Sequence, residues 1–354
     1  MVSASSTPLG PPSAPVSGRF LRRAAGLATV GVALAACGSG GTTGATAGVN
    51  YPTQTITIVV PFSAGGPTDT VTRLVAEPMS KSLGQQVIVQ NVEGAGGTLG
   101  AGEVASAKAD GYKLLLHHIG MSTAPALYAN LPYKPLEDFK TIGLVTEVPM
   151  TIIGKSDLAP NTLSELVAYA KANKATITYA NAGVGAASQL CGLLIEKAFG
   201  VDLTEVAYKG TGPAMTDLVG GQVDFMCDQT TNTSAQIKPG KVKAFAVTTS
   251  ERVKSLPDIP TTTESGMPEL KVGVWHGLYA PAGTPEAVTK KLTATLLAAT
   301  TEPGAGKTSA TPGSTRSISA SSASPRWRSA SSRHRTGCAC WCPAPPSTSR
   351  SSGC

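Results

Sequence analysis

The chain has 354 residues, 41% of them hydrophobic and 14% charged, enough for two domains that each bury a core. Its net charge of +7 is concentrated at the two ends, +3 in residues 1–50 from Arg19, Arg22 and Arg23 and +6 in residues 301–354, which leaves the central body at −2. A nucleic-acid binder needs a basic face on its folded domain, so that class is excluded.

The N-terminus reads as an export signal. An uncharged run from Ala24 to Ala36 follows Arg22 and Arg23; about 13 small or apolar residues suit a signal-peptide core and are too few to span a bilayer. The ending Leu34-Ala35-Ala36-Cys37 resembles a lipobox, in which the Cys37 thiol is lipidated and becomes the mature N-terminus. Ordinary signal-peptidase cleavage nearby, with Cys37 incidental, is the alternative. The glycine-rich stretch Gly38–Gly48 then serves as a tether, and residues 1–17 point to a start codon assigned too early.

From Tyr51 the pattern is strand, glycine-rich loop, helix, repeated. Strands are expected at Ile56–Val60, Gln86–Asn91 and Lys113–His117, with helices at Asp69–Leu83, stopped by Gly84, and Thr98–Lys108. A second unit reads as strand Met150–Gly154, helix Leu163–Asn173, strand Ile177–Ala180 and helix Ala186–Phe199, closed by Gly200. Glu205–Ala207, Ala214–Val219, Val223–Cys227 and Lys243–Thr248 continue the alternation, followed by strand Val272–Ala280 and helix Pro285–Thr300. Such alternation indicates a parallel, doubly wound α/β sheet. Glu147–Pro149 and Val247–Ser250 read as the two crossings between lobes, and as hinge candidates.

Seven cysteines do not form a disulfide framework, since Cys37 belongs to the signal and four others sit in the tail. Cys191 and Cys227 could bridge in an oxidising compartment, but they are read as two buried free thiols. Beyond Thr300 no period of 2 or 3.6 survives, and the serine-rich, acid-poor residues 301–354 read as out-of-frame translation after a frameshift. A disordered tail is the alternative.

Two loops could carry chemistry. Pro61-Phe62-Ser63-Ala64-Gly65-Gly66-Pro67-Thr68-Asp69 joins the end of a strand to a helix N-terminus, where open α/β sheets bind ligands. Its glycines let backbone approach a ligand and the helix N–H groups attract an anion; as a bare turn, Asp69 or Thr68 would instead cap the helix. Asn181-Ala182-Gly183-Val184-Gly185-Ala186-Ala187-Ser188 repeats the arrangement. It is only a partial dinucleotide fingerprint, so a second anion-binding loop is the better reading. The nucleophile-elbow and Walker A patterns are absent, no cofactor is implied, and catalysis has no Ser/His/Asp set or carboxylate pair to rest on. His117 and His118, adjacent on a strand, should point to opposite faces, and His276 lies far along the chain, so no metal site is expected.

Pro61-Phe62-x-Ala64-Gly65-Gly66-x-x-Asp69, Val89-x-Asn91-x-x-Gly94-Ala95-Gly96-Gly97 and Asp110-Gly111-Tyr112 together resemble the tripartite tricarboxylate transporter receptor family, the Bug proteins. Tyr208-Lys209-Gly210, Leu218-x-Gly220-Gly221-Gln222-Val223-Asp224 and Pro257-x-Ile259-Pro260-Thr261 extend the resemblance, which covers roughly residues 51–300. It implies a two-lobed periplasmic-binding-protein fold of type II, a Venus flytrap in which each lobe is a sheet flanked by helices. Residues 1–49 would be signal and tether, 50–148 the first lobe, 149–247 the second, 248–300 a return to the first, and 301–354 the anomalous tail.

The implied function is extracytoplasmic capture of a small di- or tricarboxylate, as a monomer that delivers it to a large and a small membrane subunit. The resemblance places the ligand on the loops around Ala64–Gly66 and Gly183–Ser188, Val184, Gly185 and Ala186 included, with Phe62, Ser63, Thr68, Asp69, Ser122, Thr123 and Asp228 at further cleft positions. Gln189 stands where family members commonly carry histidine, which bears on ligand choice. The family's C-terminal helices should follow Thr300, so reduced stability is expected. A sensor for a membrane kinase or an ATP-driven uptake receptor could use the same cleft.

Overall fold

The computed structural model describes residues 50–301. The export signal, Cys37 and all but the first residue of the 301–354 tail lie outside the described residues.

Strand β1 (Ile56–Val60) leads into α1 (Pro67–Leu83), then β2 (Val87–Asn91), a 3-10 turn (Ala95–Gly97), α2 (Thr98–Ala105), β3 (Lys113–His118) and α3 (Gly120–Leu127). The long β4 (Phe139–Lys155) follows, then α4 (Leu163–Ala172), β5 (Thr178–Asn181), α5 (Ala187–Phe199), β6 (Thr204–Ala207), α6 (Thr211–Val219), β7 (Phe225–Gln229), α7 (Thr230–Ile237) and β8 (Val242–Val247). Finally β9 (Gly273–Pro281) and α8 (Glu286–Thr301) close the described chain.

Hydrogen bonding orders the strands β2-β1-β3-β9-β4 in the first lobe. In the second lobe β4 pairs with β7 and β8, and β5 lies between β7 and β6. The sheet is mixed, not parallel: β9 runs antiparallel to β3 and β4, and β4 antiparallel to β7 and β8. Alternation of elements reports local order only. A strand that returns from the other lobe, as β9 does, enters without a helical crossover on its own sheet and is free to run antiparallel.

The first half of β4 was not legible as a strand. Phe139, Ile142, Val145 and Val148 are buried, one residue in three, because register shifts after Thr141 and after Leu144 break the period of two. Along β4 the partner changes from Gly273, opposite Pro149, to Gln229, opposite Met150, so one crossing between lobes falls there. The second differs from the Val247–Ser250 expectation. Residues 248–272 pack Leu270 into the second lobe's core before Gly273 pairs with Pro149, so the exchange is at Val272–Gly273. Thr248 still braces it, its hydroxyl donating to Val272 O (2.6 Å).

Each lobe has its own core. Ile56, Ile58, Leu114, Leu116 and Leu278 pack against Val71 and Val75 of α1 and Leu292 and Leu296 of α8. Met150, Ile152, Tyr179 and Phe225 pack against Leu166 of α4 and Ile195 and Phe199 of α5. A smaller cluster joins Val60 and Phe62 of the first lobe to Ala182 and Ala186 of the second. Cys191 of α5 and Cys227 of β7 form a disulfide, with Cα atoms 6.1 Å apart, which corrects the reading of two free thiols. Spacing along the chain cannot reveal that α5 packs on β7; only that packing brings the two Cβ atoms into bonding geometry.

Candidate functional site

A cleft opens between the loop after β1 and the loop after β5. Phe62, Gly66, Pro67 and Thr68 line it from the first loop, and Ala182, Ala186, Ala187 and Ser188 from the second. His118, Thr211, Asp228 and Gln229 complete the wall, and the space, counted out to its mouth, is about 280 Å³.

Four helices begin at this wall, α1, α5, α6 and α7, and none carries a side-chain N-cap. A helix's first N–H groups have no acceptor within the helix, so an uncapped N-terminus offers donors and a partial positive charge to whatever faces it. Neither Asp69 nor Thr68 caps α1, whose N-cap is Gly66. No lysine or arginine is among the residues lining the cleft.

Asp69 braces the first loop from behind. Its Oδ2 accepts from Gly65 N (3.0 Å) and Arg73 Nε (2.9 Å), and its Oδ1 from Asn91 Nδ2 (3.1 Å). Burial alone would raise the pKa, but the hydrogen bonds from Arg73, Gly65 and Asn91 outweigh it and hold the carboxyl below its ordinary 3.8. A carboxyl with a lowered folded pKa stabilises the fold above the unfolded value, and that contribution disappears as pH falls through the folded one. The melting temperature of the wild type should therefore fall more steeply between about pH 5 and 3 than that of Asp69→Asn; parallel curves would refute it.

The second loop spends its own polar groups internally. Ser188 Oγ accepts from Ala182 N (2.9 Å), Asn181 Oδ1 from Gly183 N (2.8 Å) and Gln189 Oε1 from Gly185 N (3.3 Å). Val184 is exposed on the rim, as are Ala64 and Gly65 on the first loop. Ser122 and Thr123 do not line the cleft; their hydroxyls turn back to Ile119 O and Gly120 O, the usual local bonding of such residues on a helix. Of the sequence-predicted site residues, Phe62, Gly66, Thr68, Ala186, Ser188 and Asp228 reach the wall itself.

The histidines do not splay apart as expected. His117 and His118 rings lie 5.0 Å apart, His118 stacks on Phe62 at 4.5 Å, and His276 stands opposite His118 in the β3–β9 register. His117 Nδ1 accepts from His118 N, and His118 Nδ1 accepts from Gly120 N, so each ring carries its proton on Nε2. Burial, then the neighbouring imidazoles, lowers His117 to about 3 and His118 well below its ordinary value; burial lowers His276 to about 4. The three are neutral near pH 7. Only His118 lines the cleft, and nothing in the local pattern of β3 separates it from its neighbour. Thr211 was findable, since Tyr208-Lys209-Gly210 ends at the N-cap of α6.

The lobes touch at points of bare backbone. Tyr128 Oη lies within hydrogen-bond distance of Ala95 O (2.9 Å) and Val184 O (2.7 Å), and Ser63 N donates to Lys209 O (3.3 Å). A Cβ on Gly96 would overlap Val184 O, and one on Gly210 would overlap Ser63 Oγ. On Gly120 it would stand 2.7 Å from Gly185 O.

Comparison with known proteins bears on this cleft. The model for "Tripartite tricarboxylate transporter family receptor" matches residues 71–317. An Agrobacterium vitis protein, described as the UPF0065 protein in the TAR-I ttuE-ttuC' intergenic region, is 56% identical over 254 residues, 72% of this chain and 73% of that one. The structure of the periplasmic binding protein BugD is 54% identical, covers 73% of this chain and 86% of its own, and superposes with a TM-score of 0.72. MatC from Rhodopseudomonas palustris, solved with bound malate, is 43% identical, with 72% and 87% covered and a TM-score of 0.70.

Proposed function

Because the chain belongs to the tripartite tricarboxylate transporter receptor family, whose members are solute-binding receptors and not enzymes, we propose that its cleft captures a small di- or tricarboxylate outside the cytoplasm for delivery to the transporter's large and small membrane subunits. The observation that carries this reading is the meeting of uncapped helix N-termini in a cleft without a cationic side chain. The N–H groups of Thr68, Asp69, Ala187, Ser188 and Gln189, at the starts of α1 and α5, grip the acid, and Phe62 and Asp228 shape its seat. Ser63, Ala64 and Gly65 and the turn Gly183–Gly185 hold those helix ends in place.

Magnitudes support an arginine-free site. A micromolar ligand needs about 8 kcal/mol, and hydrogen bonds to a charged group contribute roughly 1.5–3 kcal/mol each. Four or five suffice after ordering costs of several kcal/mol. Bound malate in MatC supports the ligand class. The Cys191–Cys227 disulfide supports an oxidising, extracytoplasmic compartment, with Cys37 as the lipid anchor.

Thermal melts with malate, succinate, citrate, tricarballylate, glutamate and aromatic acids test the reading. An acid at a thousand times its Kd should add about 4 kcal/mol, or roughly 10 °C in melting temperature for a protein of this size. A panel in which every acid leaves the transition unmoved would refute it.

A further inference from the structure

Asp228 sets an acid into the wall of a site built for anions. It is 1% exposed, it lines the cleft, and its Oδ2 accepts from Asn232 Nδ2 at 2.6 Å. Its surroundings offer no counter-charge. The titratable groups near it are His118, which lines the same cleft, and Tyr179 on the neighbouring β5; from α5, α6 and α7 come Ser188, Thr211 and Asn232, and β4 opposes it with Thr151. His118 is held neutral by burial and by His117 and His276, and burial keeps Tyr179 protonated.

An ionised carboxylate here would repel a bound dicarboxylate across a short distance in a poorly solvated space, with no cation to relieve it. A protonated one adds a donor to the ring of N–H groups. We propose that Asp228 carries a proton in the loaded cleft and donates a hydrogen bond to the bound carboxylate, so that capture of the ligand takes up one proton. This rests on the carboxylate-binding reading and assigns the residue that makes it depend on pH.

Burial, opposed by hydrogen bonds from Asn232, the Gln229 N–H and Thr211, raises Asp228 to about 6 in the unloaded protein. A nearby anion raises it further. The sign follows: below about pH 6 the proton is present before binding and affinity is flat, while above it each pH unit costs a proton uptake and about tenfold in affinity.

Calorimetry with malate, succinate and glutamate at about pH 6, 7 and 8, in two buffers of different ionisation enthalpy, tests this. Wild type should take up close to one proton at the two higher values and weaken about tenfold per pH unit. Asp228→Asn, which keeps a donor permanently, should take up none and should bind more tightly than wild type at about pH 8, by roughly tenfold or more. Affinity independent of pH in the wild type overturns the proposal, and that measurement stands even if the variant fails to fold. Loss of binding in a folded Asp228→Asn at every pH also overturns it, because an ionised Asp228 would then be accepting from a ligand hydroxyl or ammonium. Heat without a pH slope sinks only the role of Asp228; no heat from any of the three acids at about pH 6 removes the carboxylate reading beneath it.

Discussion

Alanine in place of Gly96 should weaken ligand binding about a hundredfold while the unloaded protein still folds. Gly96 sits at φ +59° in the turn before α2, and a Cβ there would overlap the backbone oxygen of Val184, on the opposite lobe. Backbone cannot swing aside as a long side chain can, so the closed arrangement loses its contact while an open one does not. If closure is what completes the ring of donors, reducing the binding-competent fraction to about one per cent costs the same factor in affinity.

A control isolates the clash from the strain. Gly84, the C-cap of α1, has φ +66° and nothing within 4 Å of an added Cβ. Gly84→Ala therefore bears the same left-handed penalty, about 1 kcal/mol, without touching the cleft. Equal titration curves for the two variants would mean that lobe contact at Gly96 is incidental.

Removing the disulfide should produce the largest loss of stability. Cys191 and Cys227 are 36 residues apart, and closing a loop of that length withholds about 4 kcal/mol of conformational entropy from the unfolded chain. For a protein of this size that is roughly 8–16 °C of melting temperature. The double variant Cys191→Ala/Cys227→Ala should melt lower by that amount, and wild type melted in reductant should match it. Both sulfurs are buried, so reductant should leave the native protein oxidised until it opens. The bridge also bears on the site, since Cys227 precedes Asp228 and Cys191 lies one turn beyond Ser188 on α5. A double variant that melts with wild type would show that the bond contributes nothing to the fold.

Local order was readable from residues alone. Ile56–Val60 is a β-branched run, and it is a strand over those five residues because the parallel pairs on both sides bury it. Gly84 and Gly200 end α1 and α5 in left-handed conformation, as a glycine after a helical period requires. The two glycine loops were recognisable as candidate anion loops because strand-to-helix turns with free N–H groups are a property of short segments. Capping chemistry, backbone freedom and hydrophobic period all act within about one turn or one strand.

What spans the chain was decided by tertiary structure. The antiparallel centre of the sheet, the bulged half of β4 and the bond between Cys191 and Cys227 each depend on which segments pass one another. So does the site's final membership. His118 reaches the cleft because Phe62 stacks on it, and Ser122 and Thr123 miss it because α3 turns their hydroxyls onto their own backbone. Asp228 gains its character from burial among neutral groups contributed by distant elements, and the starts of α5, α6 and α7 join that of α1 only when the lobes meet. Sequence carries the short-range energies of each segment; the field and the geometry inside the cleft are sums over segments far apart, and only the packed chain evaluates them.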